Sequence, residues 1–244
     1  MRRKRMLITG GTGSVGRALV SRFTKDGSEV VFTYRSDQDG ARRLAQDTGA
    51  EAAKLDAGST LDILPGGEFD ILINNAAINV TSSLSHLVTT EDWLATIAAN
   101  LTLPFLLIRQ CLPWMMSRGW GRVINISSIY GIRAVEQNLP YTVSKHGLAG
   151  LTKTIGREYA EFGITCNEIC PGPITSRLME RIAERESDGS PDAIQTYLAG
   201  VADSIPAKRL ATPEDVANLA AFLGSDYAAY INGVSIPLDG ALIA

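Results

Sequence analysis

Tyr141-Thr142-Val143-Ser144-Lys145 sets a phenol and an ammonium four residues apart. On a helix both side chains leave from one face and can enter one cleft. A cation there favours the phenolate and would lower the tyrosine pKa toward the working range of an acid/base catalyst. The spacing alone is equally compatible with an exposed helix face. Upstream, Ser128 closes the nearly apolar run Val123-Ile124-Asn125-Ile126-Ser127 and adds a hydroxyl, with a connecting segment of a length that folds back over a strand end. Hydroxyl, phenol and ammonium together could hold and protonate one oxygen, as a reaction that makes or consumes an alkoxide requires.

A second chemical signal lies at the other end of the chain. The octet Thr9-Gly10-Gly11-Thr12-Gly13-Ser14-Val15-Gly16 reads completely as T-G-x-x-G-x-x-G, but Ser14 interrupts it when read as T-G-x-x-x-G-x-G. Taken alone it could be an ordinary glycine turn. However, it follows the apolar run Met6-Leu7-Ile8 and opens a helical pattern, where backbone N–H groups and a helix N-terminus can cradle a pyrophosphate. No Gly-Lys-Ser/Thr follows, which excludes a Walker loop. Gly13 is expected to supply the flexibility that Ser14 removes.

The elements that must position these groups alternate between short apolar runs and longer periodic segments, the pattern of a parallel sheet with crossover helices. Strands are predicted at 5–9, 29–34, 52–56, 70–74, 121–127, 165–170 and 234–238. Helices are predicted at 15–26, 39–48, 90–98, 104–118, 141–162 and 213–223. The continuous Ile71-Leu72-Ile73 suits a strand covered on both faces. Thr212-Pro213-Glu214-Asp215 is a helix start, with a capping hydroxyl, a first-turn proline and acids at the positive end of the dipole. The expected architecture is a single α/β domain over residues 1–244: a Rossmann-type doubly wound parallel sheet of about seven strands, helices on both faces, and a small helical substrate lid. That lid is the charged excursion 175–208, broken at Ser187-Asp188-Gly189-Ser190-Pro191.

Composition narrows the partners. With 244 residues, 45% hydrophobic, 20% charged and a formal net charge of −3, the chain resembles an ordinary soluble globular protein and does not suggest a nucleic-acid partner. The basic run Met1-Arg2-Arg3-Lys4-Arg5 precedes too short an apolar stretch for a signal sequence. No apolar stretch approaches membrane-span length; 103–107 contains Pro104 and soon meets Arg109. No membrane association and a cytoplasmic location are therefore expected. Cys111, Cys166 and Cys170, with only His86 and His146 beside them, read as reduced thiols and predict no metal site.

Taken in order, these landmarks resemble the short-chain dehydrogenase/reductase family from Leu7 to Gly240: the glycine octet, Asn74-Asn75-Ala76-Ala77, Asn100-Leu101-Thr102, Ile126-Ser127-Ser128, Tyr141 through Lys145, Pro171-Gly172-Pro173-Ile174, and Ile231-Asn232-Gly233 through Leu238-Asp239-Gly240. The resemblance implies that Ser128 hydrogen-bonds the substrate oxygen and that Tyr141 transfers the proton. It also implies that Lys145 lowers the tyrosine pKa and holds the nicotinamide ribose, and that Asn100 holds a water linking the lysine to solvent. A helix cap is the other reading of Asn100. By the same resemblance, Gly10, Thr12, Gly13, Ser14, Val15 and Gly16 take the pyrophosphate. Asp56 and Ala57 lie beside the adenine, Asn75, Ala76 and Ala77 beside its ribose, and Pro171, Gly172, Ile174 and Ser176 around the nicotinamide. At the end of the second strand there is no acid until Asp37, while Arg35 and Ser36 could hold a 2′-phosphate by charge-assisted hydrogen bonds; NADP(H) is expected over NAD(H), which stays possible.

Ser14 and Ala77 depart from the family pattern by standing where it has glycine, and 57–69 is too short for the usual crossover helix. The segment Ile205-Pro206-Ala207-Lys208-Arg209-Leu210 through Gly240 is most similar to 3-oxoacyl-(acyl-carrier-protein) reductases and related ketone reductases. This implies a small carbonyl or alcohol substrate, free or carrier-bound, in a pocket between 129–139 and 175–204, with Arg133 either meeting an anionic group or facing solvent. Two alternatives use the same fold: an epimerase or dehydratase that retains its cofactor, and a non-catalytic NADP-binding regulator. Family members commonly pair through the faces of 104–118, 141–162 and the last strand, so a homotetramer or homodimer is expected.

Overall fold

The computed structural model describes residues 3–56, 68–80 and 82–244. In chain order the elements are β1 (Arg5–Ile8), α1 (Ser14–Lys25), β2 (Glu29–Tyr34), α2 (Gln38–Thr48), β3 (Glu51–Lys54), β4 (Ile71–Asn74), α3 (Thr90–Ile97), α4 (Leu103–Arg118), β5 (Gly121–Ile126), α5 (Leu139–Glu158), β6 (Ile164–Pro171), α6 (Arg177–Glu186), α7 (Pro191–Ser204), α8 (Pro213–Leu223) and β7 (Ser235–Leu238). The strands form one parallel sheet of order β3-β2-β1-β4-β5-β6-β7. The chain enters at β1, winds outward to β3, then returns to the other side of β1. The order reverses between β1 and β4, and a crevice opens there above the strand C-termini, where sheets of this kind bind ligands.

Both faces of the sheet are covered, which explains why β4, β5 and β6 are buried along their whole length. On one face Leu19, Phe23, Leu44, Val216 and Leu223 from α1, α2 and α8 pack on Ile8, Phe32, Ile73 and Ile124. On the other, Leu107, Ile108, Met115 and Ile155 from α4 and α5 pack on Leu7, Leu72, Val123 and Cys166. The expected excursion is real: α6 and α7 stand between β6 and α8 and bury only Ala183. The predicted short link between Asp56 and Asp70 lies largely outside the described residues.

Pro104 does not break its helix. A π-helical turn, Ala98–Thr102, joins α3 to α4, and Pro104 falls in the first turn of α4, where no N–H is needed. The resulting run Thr90–Arg118 spans 29 residues, with an 18-residue window of mean hydropathy 1.3, long and apolar enough by length and composition to cross a membrane. This corrects the expectation drawn from the apparent break. Its apolar stripe, Leu103, Leu107, Ile108, Leu112 and Met115, is buried, that of a core helix. Likewise α5 starts at Leu139 rather than 141, because Pro140 takes a first-turn position.

The expected helix start at Thr212 is a full capping box: Thr212 Oγ1 accepts from Asp215 N at 3.1 Å, and Asp215 Oδ2 accepts from Thr212 N at 2.9 Å. Thr212→Ala should cost about 1 kcal/mol, read as a lower urea midpoint with an unchanged slope; an unmoved midpoint would show that the cap contributes nothing.

Candidate active site

The glycine loop is fixed by sterics and hydrogen bonds before any ligand arrives. Gly10 has φ +68°, a left-handed conformation that favours glycine. A Cβ on Gly16 would overlap the Gly10 carbonyl oxygen, and one on Gly11 would overlap the Phe32 ring. Gly13 differs: its φ is −69° and a Cβ there would meet only the Gly10 oxygen, at 3.5 Å. Gly13 therefore does not supply the special flexibility expected of it. Its bareness serves the cleft it faces. Thr9 Oγ1 accepts from Asn75 N and Ala76 N, each at 2.9 Å, while Asn75 Nδ2 donates to the Thr9 carbonyl at 2.9 Å and the Gly10 carbonyl at 3.2 Å. The loop is thereby tied to the end of β4. The first-turn N–H groups of α1 have no side-chain cap, leaving donors at the positive end of the helix dipole. These features fit a dinucleotide pyrophosphate.

Ser128 follows β5 and caps a short 3-10 turn, Ile129–Gly131, its Oγ accepting from Tyr130 N at 3.1 Å. The Tyr141 phenol opens on the same cleft as Ser128, whose hydroxyl acts to lower its pKa. Lys145 lies one helical turn on from Tyr141, in the stripe of Leu148, Thr152 and Ile155 that α5 buries against the sheet. Its Nζ donates to the Ile126 carbonyl at 2.9 Å and stands 5.5 Å from the centre of the Tyr141 ring. The sheet thus gathers hydroxyl, phenol and ammonium at the C-terminal end of β5.

Asn100 is buried within the π-helical turn and is not a helix cap. Its Oδ1 accepts from Ile78 N at 2.8 Å, and its Nδ2 donates to the Ile78 carbonyl at 2.9 Å and to Ser144 Oγ at 3.1 Å. Ser144 Oγ in turn donates to the Tyr141 carbonyl at 2.7 Å. One side chain thus clips the segment after β4 to the first turn of α5. Pro104, four residues on, has no N–H for the Asn100 carbonyl.

The titration behaviour differs from the simple expectation. Burial, partly opposed by the Ser128 hydroxyl, pushes the Tyr141 phenol up to about 12. Burial likewise lowers Lys145 to about 8, with Glu168 and then Cys170 opposing. Lys145 does not depress the tyrosine; its Nζ donates to the Ile126 carbonyl. At neutral pH the phenol keeps its proton and the lysine its charge, a state ready to donate. The three cysteines are free and buried, and burial pushes each thiol up. Among the described residues no group of His, Cys, Asp and Glu could hold a metal.

One cleft of about 1080 Å³ joins the two signals. It is lined by Gly10, Thr12, Gly13, Ser14, Val15, Gly16, Arg35, Ser36, Asn75, Ala76 and Ala77 on one side, and by Ser128, Tyr141, Lys145, Pro171, Gly172, Ile174 and Ser176 on the other. Arg133, Met179 and Tyr197 line its outer part. Asp56 does not belong to it: β3 ends at Lys54 and Leu55 turns into the cleft, leaving Asp56 exposed. Ala57 lies outside the described residues. The sequence reading missed Arg17, whose Nε donates to the Thr12 carbonyl at 2.9 Å and which pairs with Asp37 at 3.3 Å. It also missed Arg177, Arg181 and Leu242 in the cleft wall. A helical period starting at the octet could have found Arg17, one residue after Gly16; Leu242, near the end of the chain, has no local signal.

The chain matches the family model described as enoyl-(acyl carrier protein) reductase over residues 10–242. It is 33% identical to the D-beta-hydroxybutyrate dehydrogenase of Rhizobium meliloti (strain 1021), covering 99% of each chain. An oxidoreductase of the short-chain dehydrogenase/reductase family from Burkholderia thailandensis superposes with a TM-score of 0.85 at 26% identity, over 100% of this chain and 94% of that one. Actinorhodin polyketide ketoreductase, solved with NADPH, gives a TM-score of 0.88 at 28% identity, over 98% and 97%.

The loop sterics separate two glycines. Gly16→Ala should cost about 1–3 kcal/mol through overlap with the loop backbone. Gly13→Ala should cost less than about 1 kcal/mol but weaken dinucleotide binding. Urea melts and dinucleotide fluorescence titrations measure the two effects; equal stability losses would contradict this assignment.

Proposed function

The chain belongs to the short-chain dehydrogenase/reductase family, and we propose that it interconverts a small ketone and a secondary alcohol with NADP(H), acting on a 3-oxoacyl or similar carbonyl, free or carrier-bound. The observation that carries this reading is that Ser128, Tyr141 and Lys145 open on the same cleft as the glycine loop. The bound nicotinamide supplies or accepts the hydride. Ser128 Oγ then holds the carbonyl oxygen, and Tyr141, protonated at neutral pH, donates to it as negative charge develops. Lys145 carries the charge that stabilises the phenolate left behind and holds the ribose beside it. Asn100 is the residue that would hold a water linking the lysine to solvent, and its side chain fixes the segment after β4.

Preference for NADP(H) is supported at the end of β2. Asp37, the first acid there, is engaged twice, accepting from Gly40 N at 2.9 Å and pairing with Arg17 at 3.3 Å. Arg35 and Ser36 remain along the cleft to meet a 2′-phosphate. The relative named for D-beta-hydroxybutyrate supports a 3-oxo or 3-hydroxy acid or acyl substrate, and the acyl carrier protein in the family model's description supports a carrier-bound form. α6 and α7 serve as a lid over it, since they contribute Met179 and Tyr197 to the cleft and bury little of their own surface. Exposed Phe105 and Val143 on α4 and α5, and Phe222, Tyr227 and Tyr230 near β7, support a homotetramer. Sedimentation of a monomer at micromolar concentration would contradict that assembly.

With acetoacetyl thioesters and NADPH, Tyr141→Phe should lower kcat by about 10²- to 10⁴-fold and leave NADPH affinity close to that of the parent chain. Substrate conversion without a change in nicotinamide absorbance would favour an epimerase or dehydratase. Arg35→Ala should weaken NADPH by about 10- to 100-fold, the equivalent of one or two charge-assisted hydrogen bonds, with little effect on NADH; equal effects on both cofactors would count against 2′-phosphate recognition.

A further inference from the structure

Glu168 is wholly buried in the middle of β6 and takes no part in the chemistry described above. Strand alternation puts it on the same face as Cys166, the face that α5 covers. Its Oε2 accepts from Ser235 Oγ on β7 at 2.7 Å. Its Oε1 is buried without a hydrogen-bond partner among the described residues, as is Ser127 Oγ. Gly131 marks how tightly this region is packed: a Cβ there would lie 2.8 Å from Ser127 Oγ, 3.1 Å from the Lys145 carbonyl oxygen and 3.3 Å from Glu168 Oε1. The carboxyl therefore abuts the end of β5, the turn after Ser128, and the turn of α5 that bears Lys145.

A buried carboxylate with one unsatisfied oxygen is costly unless an opposite charge compensates it. The titratable groups around Lys145 are Tyr141 on its own helix, Tyr130 on the capped turn, and Glu168 and Cys170 on β6. Tyr141 and Cys170 are each pushed up to about 12 and are neutral at neutral pH. Glu168 is thus the acid available to oppose the ammonium. We propose that Glu168 is a positioning residue: a carboxylate anchored by Ser235 behind the active site, whose field holds the Lys145 ammonium charged against the Ile126 carbonyl. The effect acts through space, because Nζ bonds the carbonyl rather than the carboxylate. The proposal rests on Lys145 and Tyr141 being the pair that handles the proton.

The test is an NMR titration of ε-¹³C-labelled lysines in the cofactor-free protein, with Lys145 assigned from its missing signal in Lys145→Arg. In Glu168→Gln the Lys145 midpoint should fall by about one pH unit, with native circular dichroism. Glu168→Asp, which keeps the charge, should move it by less. In turnover assays the alkaline limb of kcat/KM should shift down in parallel. An unmoved Lys145 midpoint in Glu168→Gln overturns the proposal, as does a fall in Glu168→Asp as large as that in Glu168→Gln; if Glu168→Gln does not fold, the neutral Glu168→Met takes its place. A shifted midpoint with no change in the activity profile would instead count against Lys145 as a catalytic group and leave the Glu168 coupling intact.

Discussion

The structure is arranged around a charge that water cannot reach. Lys145 is 1% exposed, and burial of an ammonium carries a penalty of several kcal/mol unless nearby groups offset it. The Ile126 carbonyl at the end of β5 takes one of its hydrogens. That bond requires β5 to stop at Ile126, α5 to lie close over the strand end, and the turn at Ser128 to leave room beside it. Those same requirements bring Ser128 to the Tyr141 phenol. The gathering of hydroxyl, phenol and ammonium and the solution to the buried charge are one geometry.

Around this centre, side-chain amides act as clips between elements that no regular backbone ladder connects. Asn100 joins the chain after β4 to α5, and Asn75 joins it to the glycine loop. Deeper in the sheet, Asn74 donates to Asn125 at 2.8 Å and Asn125 to Thr152 at 2.8 Å, a polar line through an otherwise apolar layer. These bonds favour a single arrangement, since a shift would leave more donors and acceptors unpaired, although Asn74 Oδ1 is already without a hydrogen-bond partner among the described residues. The cleft stays shaped because its walls are fastened by these bonds as well as by packing.

Much of this was legible in the residue pattern. The seven strands and the helices on both faces follow from the alternation of apolar runs and periodic segments, with ends displaced by a few residues at most. The glycine octet, Tyr141 and Lys145 took their meaning from their place among the other ordered landmarks, since neither spacing was specific alone. Errors arose where local rules compete. Pro104 reads as a break, yet a π-helical turn ahead of it lets the helix continue. The end of β3 turns Leu55 into the cleft and leaves Asp56, expected beside the adenine, exposed next to it. Asn74, Asn125 and Glu168 look like interruptions of apolar strands because nothing nearby in sequence indicates their partners.

By itself, the sequence determined the fold class and the place of the glycine loop ahead of the first helix, because both rest on short-range periodicity, while the ordered landmarks from Leu7 to Gly240 together carried the family. The tertiary structure decided which Gly13 and Gly16 constraints are steric and which serve the cleft, that Asn100 is a clip, and that burial rather than the neighbouring cation governs the Tyr141 proton. It also set Glu168 behind Lys145. These depend on distances between residues far apart in the chain, and on how much water the packed elements exclude; neither quantity is encoded in any local stretch.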